Sequence, residues 1–253
     1  MNILYICPRL PYPPQGGDKT VICNQLKFLS RNNKITLLSL IEDDKELRTG
    51  LSGLSPYCAK VEVFRKRPNF SISNFLTVAR KTDPFTVIRY YSPRMHKRAK
   101  ELVESADFDI VHVAFYYMAQ YAVSKDIRVP SKTALVIDTH LVEYLLYDAH
   151  GRLAKNPFLK LFSKLEAARI KRYEFPIYAK FDRCMTFSEL DKANIVKMSG
   201  ASNVVVNPAP TELPVPEKEI FAGRDEEKNT VLFFGGLKYV PNEDGVKFFY
   251  ESV

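Results

Sequence analysis

Long hydrophobic runs are missing from this chain. No stretch of its 253 residues approaches the ~18–20 consecutive apolar residues of a bilayer-crossing helix. The opening MNILYICPRLPYPP has no basic lead, and its apolar run ends at Pro8. No signal peptide is read there, and a cytoplasmic location is expected. Cysteine is scarce: Cys7, Cys23, Cys58 and Cys184 are scattered, with no CxxC or zinc-ligand spacing. They are expected to be reduced core thiols. The signatures GxxxxGK[ST], HExxH, GxSxG and GxGxxG are also lacking. This argues against a P-loop nucleotidase, a zinc protease, a serine hydrolase and a hydride-transfer enzyme. No metal-ligand cluster is present, so neither metal nor cofactor is expected.

Positive charge is in excess, with a formal net charge of +8. Anionic partners are favoured by that balance. No recognised DNA or RNA motif accompanies it, so nucleic acid is not the expected partner. The basic residues form three clusters: Arg65–Arg67, Arg94–Lys100, and a helical pattern from Lys155 to Lys180. Each also reads as a plain solvated face.

The apolar pattern is strongly periodic. Short runs predict strands at 2–7, 34–40, 59–64, 109–114, 133–138, 183–187 and 203–206. Between them lie helical patterns: one capped by Asp18, one over 44–52, two stretches on either side of Pro84, one over roughly 157–180, and one over 189–198. Alternating strands and helices predict an α/β fold, with a Rossmann-like parallel sheet and helices on both faces. Residues 1–206 are read as this domain. Residues 207–230 carry four prolines and many charges, and read as a linker. VLFFGG at 231–236 then reads as a buried strand into a glycine turn, followed by a helix capped by Asn242. Residues 231–253 are expected to open a second α/β domain that the chain does not complete. The alternative is that they finish the first domain.

Four motifs carry chemistry. In PPQGGDKT (13–20), Gly16, Gly17 and Asp18 join the first strand to the first helix, at a carboxyl strand end where open sheets bind ligands. The helix N-terminus there suits a phosphate or a sugar hydroxyl; a plain tight turn is the bland reading. In DTHLVEY (138–144), Asp138, His140 and Glu143 lie at the end of the fifth strand, with His140 able to hydrogen-bond a hydroxyl or move a proton. A structural histidine, or a helix cap by Asp138, is the alternative. In TFSELDK (186–192), Ser188 is read first as a helix cap and second as a ligand contact. In FFGGLKYVPN (233–242), Gly235 and Gly236 could admit a diphosphate beside Lys238.

Together NILYICPRLPYPPQGGDKT, DTHLVEY, FSELDKANIV and FFGGLKYVPNEDGVKFF resemble, in order, the GT-B glycosyltransferases of family 4 (glycosyl transferases group 1). The sugar transferases of exopolysaccharide systems are the nearest in look. The resemblance implies two Rossmann-like domains with a cleft between them. It implies a retaining transferase that moves a sugar from a nucleotide-sugar to a saccharide or lipid-linked acceptor in polysaccharide biosynthesis. His140 would reach the transferred sugar, Gly16 and Gly17 the donor phosphates, and Gly235 and Gly236 the diphosphate. No metal is implied, because helix dipoles and basic side chains would carry the leaving-group charge. Two departures stand out. Leu237 follows the second glycine where many relatives have arginine, and the paired-glutamate region would lie beyond Val253. The chain is therefore expected to be inactive as it stands. The basic, aromatic stretch 64–100 would fit an acceptor at an anionic membrane surface, peripheral on its inner face. Two other functions remain open from the residues: a non-catalytic module that binds a saccharide or a partner, and a sugar-nucleotide epimerase of related fold.

Overall fold

The computed structural model describes residues 1–42, 44–66, 82–211, 231–237 and 240–253. The chain divides into two compact units, Met1–Glu212 and Leu213–Val253.

The first unit is built on seven strands: β1 (Asn2–Cys7), β2 (Lys34–Ile41), β3 (Lys60–Arg65), β4 (Ile110–Ala114), β5 (Ala134–Thr139), β6 (Arg183–Thr186) and β7 (Val204–Val206). Their order is β3-β2-β1-β4-β5-β6-β7, and every pairing is parallel. The strand order thus reverses direction between β1 and β4. All but the first residue of β1 are fully buried, as its unbroken apolar run requires.

Alternation along the strands sorts side chains onto two faces. Tyr5, Cys7, Ile35 and Leu37 pack on α1 (Gly17–Ser30) and α2 (Asp44–Leu54) through Ile22, Leu26 and Leu54. Leu4, Ile6, Val111, Val113 and Ile137 face the other way. There they meet α4 (Pro93–Glu104), α6 (Pro157–Tyr178) and α7 (Glu189–Ser199). All four cysteines are buried free thiols.

Several expectations are corrected. Asp18 does not cap α1: the cap position is Gly16, and Asp18 sits in the first turn, turned toward Arg9. The stretch after Pro84 is two helices, α3 (Phe85–Arg89) and α4, because Pro93 restarts the helix as its first residue. One helix unread in the sequence, α5 (Glu143–Leu153), follows β5. It forms a tight hairpin with α6, where a Cβ on Gly151 would come 3.3 Å from the backbone nitrogen of Lys164. Of the expected helix before Pro84, residues 67–81 lie outside the described residues.

The first two basic clusters are not simply solvated, whereas the third, from Lys155 to Lys180, is mostly exposed. Lys66 is buried against Glu42 at 2.6 Å, and Arg98 pairs with Glu62 at 2.9 Å.

In the second unit, residues 231–236 form no strand and are exposed, Phe234 at 98%. A strand needs a neighbour to take its backbone hydrogen bonds, and this unit offers none among the described residues. The helix α8 (Val240–Ser252) begins before Asn242, whose side chain reaches back to the Gly236 carbonyl at 3.1 Å. Among the described residues, no helix is long and apolar enough to cross a membrane.

Candidate functional site

Every functional candidate of the first unit lies at the carboxyl end of the parallel sheet. In open sheets of this kind, the reversal of strand order leaves a crevice at that end. Here the reversal sits between β1 and β4. Only β4 separates β1 from β5, so the strands that carry the glycine turn and His140 stand about 10 Å apart, two strand spacings.

The loop after β1 is pinned from two sides. Leu10 and Tyr12 press on α2 at Gly50 and Gly53, where any Cβ would come within 2.0 Å and 2.2 Å of them. Arg9 forks onto Asp18, Nε to Oδ2 at 3.0 Å and Nη2 to Oδ1 at 2.6 Å. Gly16 adopts φ 99°, which a side chain would strain, and no side chain caps the helix there. Gly16 and Gly17 are exposed.

The loop after β5 begins with His140. Its side chain is only 7% exposed, held between Phe115 at 4.3 Å and Phe187 at 4.8 Å. Nε2 stands 3.7 Å from Asp138 Oδ2. Asp138 is fully buried and accepts from Gln25 of α1, and Gln25 accepts from the Tyr5 hydroxyl at 2.5 Å. The second carboxylate oxygen of Asp138 has no hydrogen-bond partner. Tyr5 in turn stacks on His112 at 4.5 Å, and burial pushes that imidazole down to about 4, so it is neutral at pH 7. A buried hydrogen-bonded chain, Tyr5–Gln25–Asp138, therefore runs from the helix behind the glycine turn to a carboxylate 3.7 Å from the histidine, whose Nε2 makes no hydrogen bond.

Phe115, directly after β4, has φ 72°, an outlier for a bulky residue. Its ring stacks 5.3 Å from Tyr117, which stacks 4.7 Å from Tyr90. These rings line a cleft of about 490 Å³, together with Leu146, Tyr147, Leu159 and Phe162. Glu143, the first residue of α5, also lines it. Burial, and next the neighbouring Glu174, push the Glu143 carboxyl up to about 8. Glu174 is itself raised to about 7 by burial, although three donors hold it: the Glu143 and Tyr144 amides at 3.1 and 3.0 Å, and the Tyr178 hydroxyl at 2.8 Å. A carboxyl poised near neutrality beside an aromatic cleft can accept or donate a proton.

Ser188 caps α7, its Oγ accepting from the Asp191 amide at 3.0 Å. Gly16, Gly17, Asp18, Asp138, His140, Glu143 and Ser188 thus share one rim. Gly235 and Gly236 belong to the other unit, where Gly235 abuts Phe233 and Asn242. Lys238 lies outside the described residues. Sequence reasoning missed Arg9, Gln25, Phe115, Phe187 and Glu174. Gln25 alone left a trace, as a polar residue one place from Leu26 on the buried side of α1.

No family model and no curated protein sequence matches the chain. Among solved structures it is similar to the N-terminal domain of trehalose-6-phosphate phosphatase from Candida albicans, at 13% identity and a TM-score of 0.46, covering 82% of this chain and 48% of that one. It is similar to UGT89C1 of Arabidopsis thaliana complexed with UDP, at 11% identity and a TM-score of 0.41, covering 85% and 50%. With the same protein complexed with UDP-L-rhamnose the values are 10% and 0.42, covering 85% and 53%. The chain thus spans about half the length of each, and its Rossmann-like assignment rests on its own strand order.

Proposed function

We propose that this chain is the acceptor-side half of a nucleotide-sugar-dependent glycosyltransferase, of the retaining kind that serves polysaccharide biosynthesis. The observation that carries the reading is the shared rim. An exposed glycine turn at a helix N-terminus and a buried, aromatic-clamped histidine stand two strands apart, and the Asp138–Gln25 contact between them leaves the His140 Nε2 without a hydrogen-bond partner. Such a rim suits a sugar and its phosphates: unpaired helix amides meet the anion, and His140 meets a hydroxyl. In the transfer, an acceptor hydroxyl bonds to the anomeric carbon, the nucleoside diphosphate leaves with the bonding pair, and the hydroxyl proton passes to a base. The aromatic cleft beside Phe115 is assigned to the acceptor, a saccharide or a lipid-linked sugar. Glu143 is the cleft's proton acceptor or hydrogen-bond partner. No metal is assigned a role, since helix dipoles and basic side chains are enough to receive the leaving charge. Gly235, Gly236 and Lys238 are assigned to the donor diphosphate.

Isotope-labelled protein titrated with UDP-hexoses and GDP-hexoses tests this by NMR. The expected result is weak binding that shifts the Gly16 and Gly17 amides and the His140 ring together, and that His140→Ala removes. Shifts confined to another surface, or none with any nucleotide-sugar, would overturn the reading.

A further inference from the structure

The tip of the α5–α6 hairpin turns apolar side chains outward. Leu153 is 79% exposed, Phe158 82%, Leu161 58% and Leu165 55%. Leu159 and Phe162 are also exposed, and these two line the aromatic cleft. Six large apolar groups within thirteen consecutive residues are far more than a monomer scatters by chance over its surface. The same segment carries Lys155, Lys160 and Lys164, all exposed, and no Asp or Glu between Gly151 and Leu165; Arg152 beside it is paired with Asp148 at 3.0 Å. Asn156 caps α6 through the Phe158 and Leu159 amides at 2.9 and 3.3 Å, so the helix start that presents these groups is well formed.

We infer that this hairpin tip is a membrane-docking surface, its apolar side chains entering the acyl boundary of an anionic bilayer while its three lysines meet the headgroups. Charge selects this occupant. A second copy of the chain packed through the same face would set three lysines against three lysines, whereas an anionic lipid surface neutralises them. Docking here would place the aromatic cleft at the lipid surface, because Leu159 and Phe162 belong to both. The inference does not depend on glycosyl transfer, and its test uses no nucleotide-sugar.

The intact chain is sedimented with vesicles of phosphatidylcholine alone and of phosphatidylcholine with phosphatidylglycerol. Enrichment is expected on the anionic vesicles and is expected to weaken with added salt. The pair Phe158→Asp and Leu161→Asp should abolish it, with an unchanged circular-dichroism spectrum and melting curve. Lys155→Gln and Lys160→Gln should each lower the partition roughly fivefold. The inference is overturned by no enrichment on either vesicle, by enrichment that survives the double aspartate change, or by a concentration-dependent dimer that the same change dissolves.

Discussion

The two halves of α6 are inverted relative to each other. In the first half, Phe158, Leu159, Leu161 and Leu165 face outward. In the second, Glu166 and Glu174 are buried, at 1% and 0% exposure, beside Ile170 and Phe175. A helix that simply hid its apolar side would show neither feature. The buried acids are explained by their partners. Glu174 caps the otherwise uncapped start of α5, and Glu166 accepts from the Phe85 amide at the start of α3. The second half therefore uses carboxylates as caps for neighbouring helices, and the first half spends its apolar surface outside the fold. Stability should reside in the one and be nearly absent from the other.

The largest effect should come from Glu174→Ala. It strands two amides and leaves the Tyr178 hydroxyl with Thr139 as its remaining partner, and it should cost roughly 2–4 kcal/mol in urea unfolding. Glu174→Gln keeps one acceptor and should cost less than half of that. If the alanine variant unfolds at the wild-type midpoint, the caps carry nothing and the comparison collapses.

Gly53→Ala should come next. Its Cβ would fall 2.2 Å from the Tyr12 ring, so the loop after β1 must shift or α2 must tilt. Overpacking of this kind costs roughly 1–3 kcal/mol. Because that loop carries Gly16 and Gly17, their amide resonances should move as well. Unmoved resonances would show that the turn is held by Arg9 and Asp18 alone.

How legible this was follows from the same inversion. All seven strands could be read: β1 and β2 are nearly continuous buried apolar runs, while β3 and β7, at the sheet edges, show as short runs rich in β-branched residues. The rim residues were legible where a motif sat directly at a strand end, as with Gly16, Asp138 and His140. Arg9, Gln25, Phe115, Phe187 and Glu174 were not, because their roles arise from contacts across the sheet. Gln25 meets Asp138 from 113 residues away, and Glu174 meets Tyr144 from 30. The helix α5 was hidden for a similar reason: its cap comes from another helix, so no capping residue marks its start. VLFFGG shows the converse failure, an apolar run with no neighbouring strand to pair with among the described residues.

A smaller effect lies in the pH dependence of the buried acids. Burial raises Glu143 from 4.5 to about 8 and Glu174 from 4.5 to about 7. A carboxyl whose folded value is raised holds its proton longer when folded than when unfolded, so the folded state weakens as pH climbs from about 4.5 toward 8. The unfolding free energy should fall steadily across that window. Glu143→Gln should flatten the slope. A stability that rises over the same range would mean that Glu143 is ionised in the fold and held by a cation.

The smallest effect is the most discriminating. Phe158→Ser and Leu161→Ser remove two large apolar groups from the first half of α6, yet each should change stability by no more than ~0.5 kcal/mol, because both groups stay mostly in water on folding. Buried leucine or phenylalanine losses cost several-fold more. Unfolding midpoints within error of wild type, alongside a lost vesicle partition, would separate the two roles of this helix: one half holds the fold together, the other meets a surface outside it. A loss comparable to that of Glu174→Ala would instead mean that these side chains are covered in solution by the protein itself.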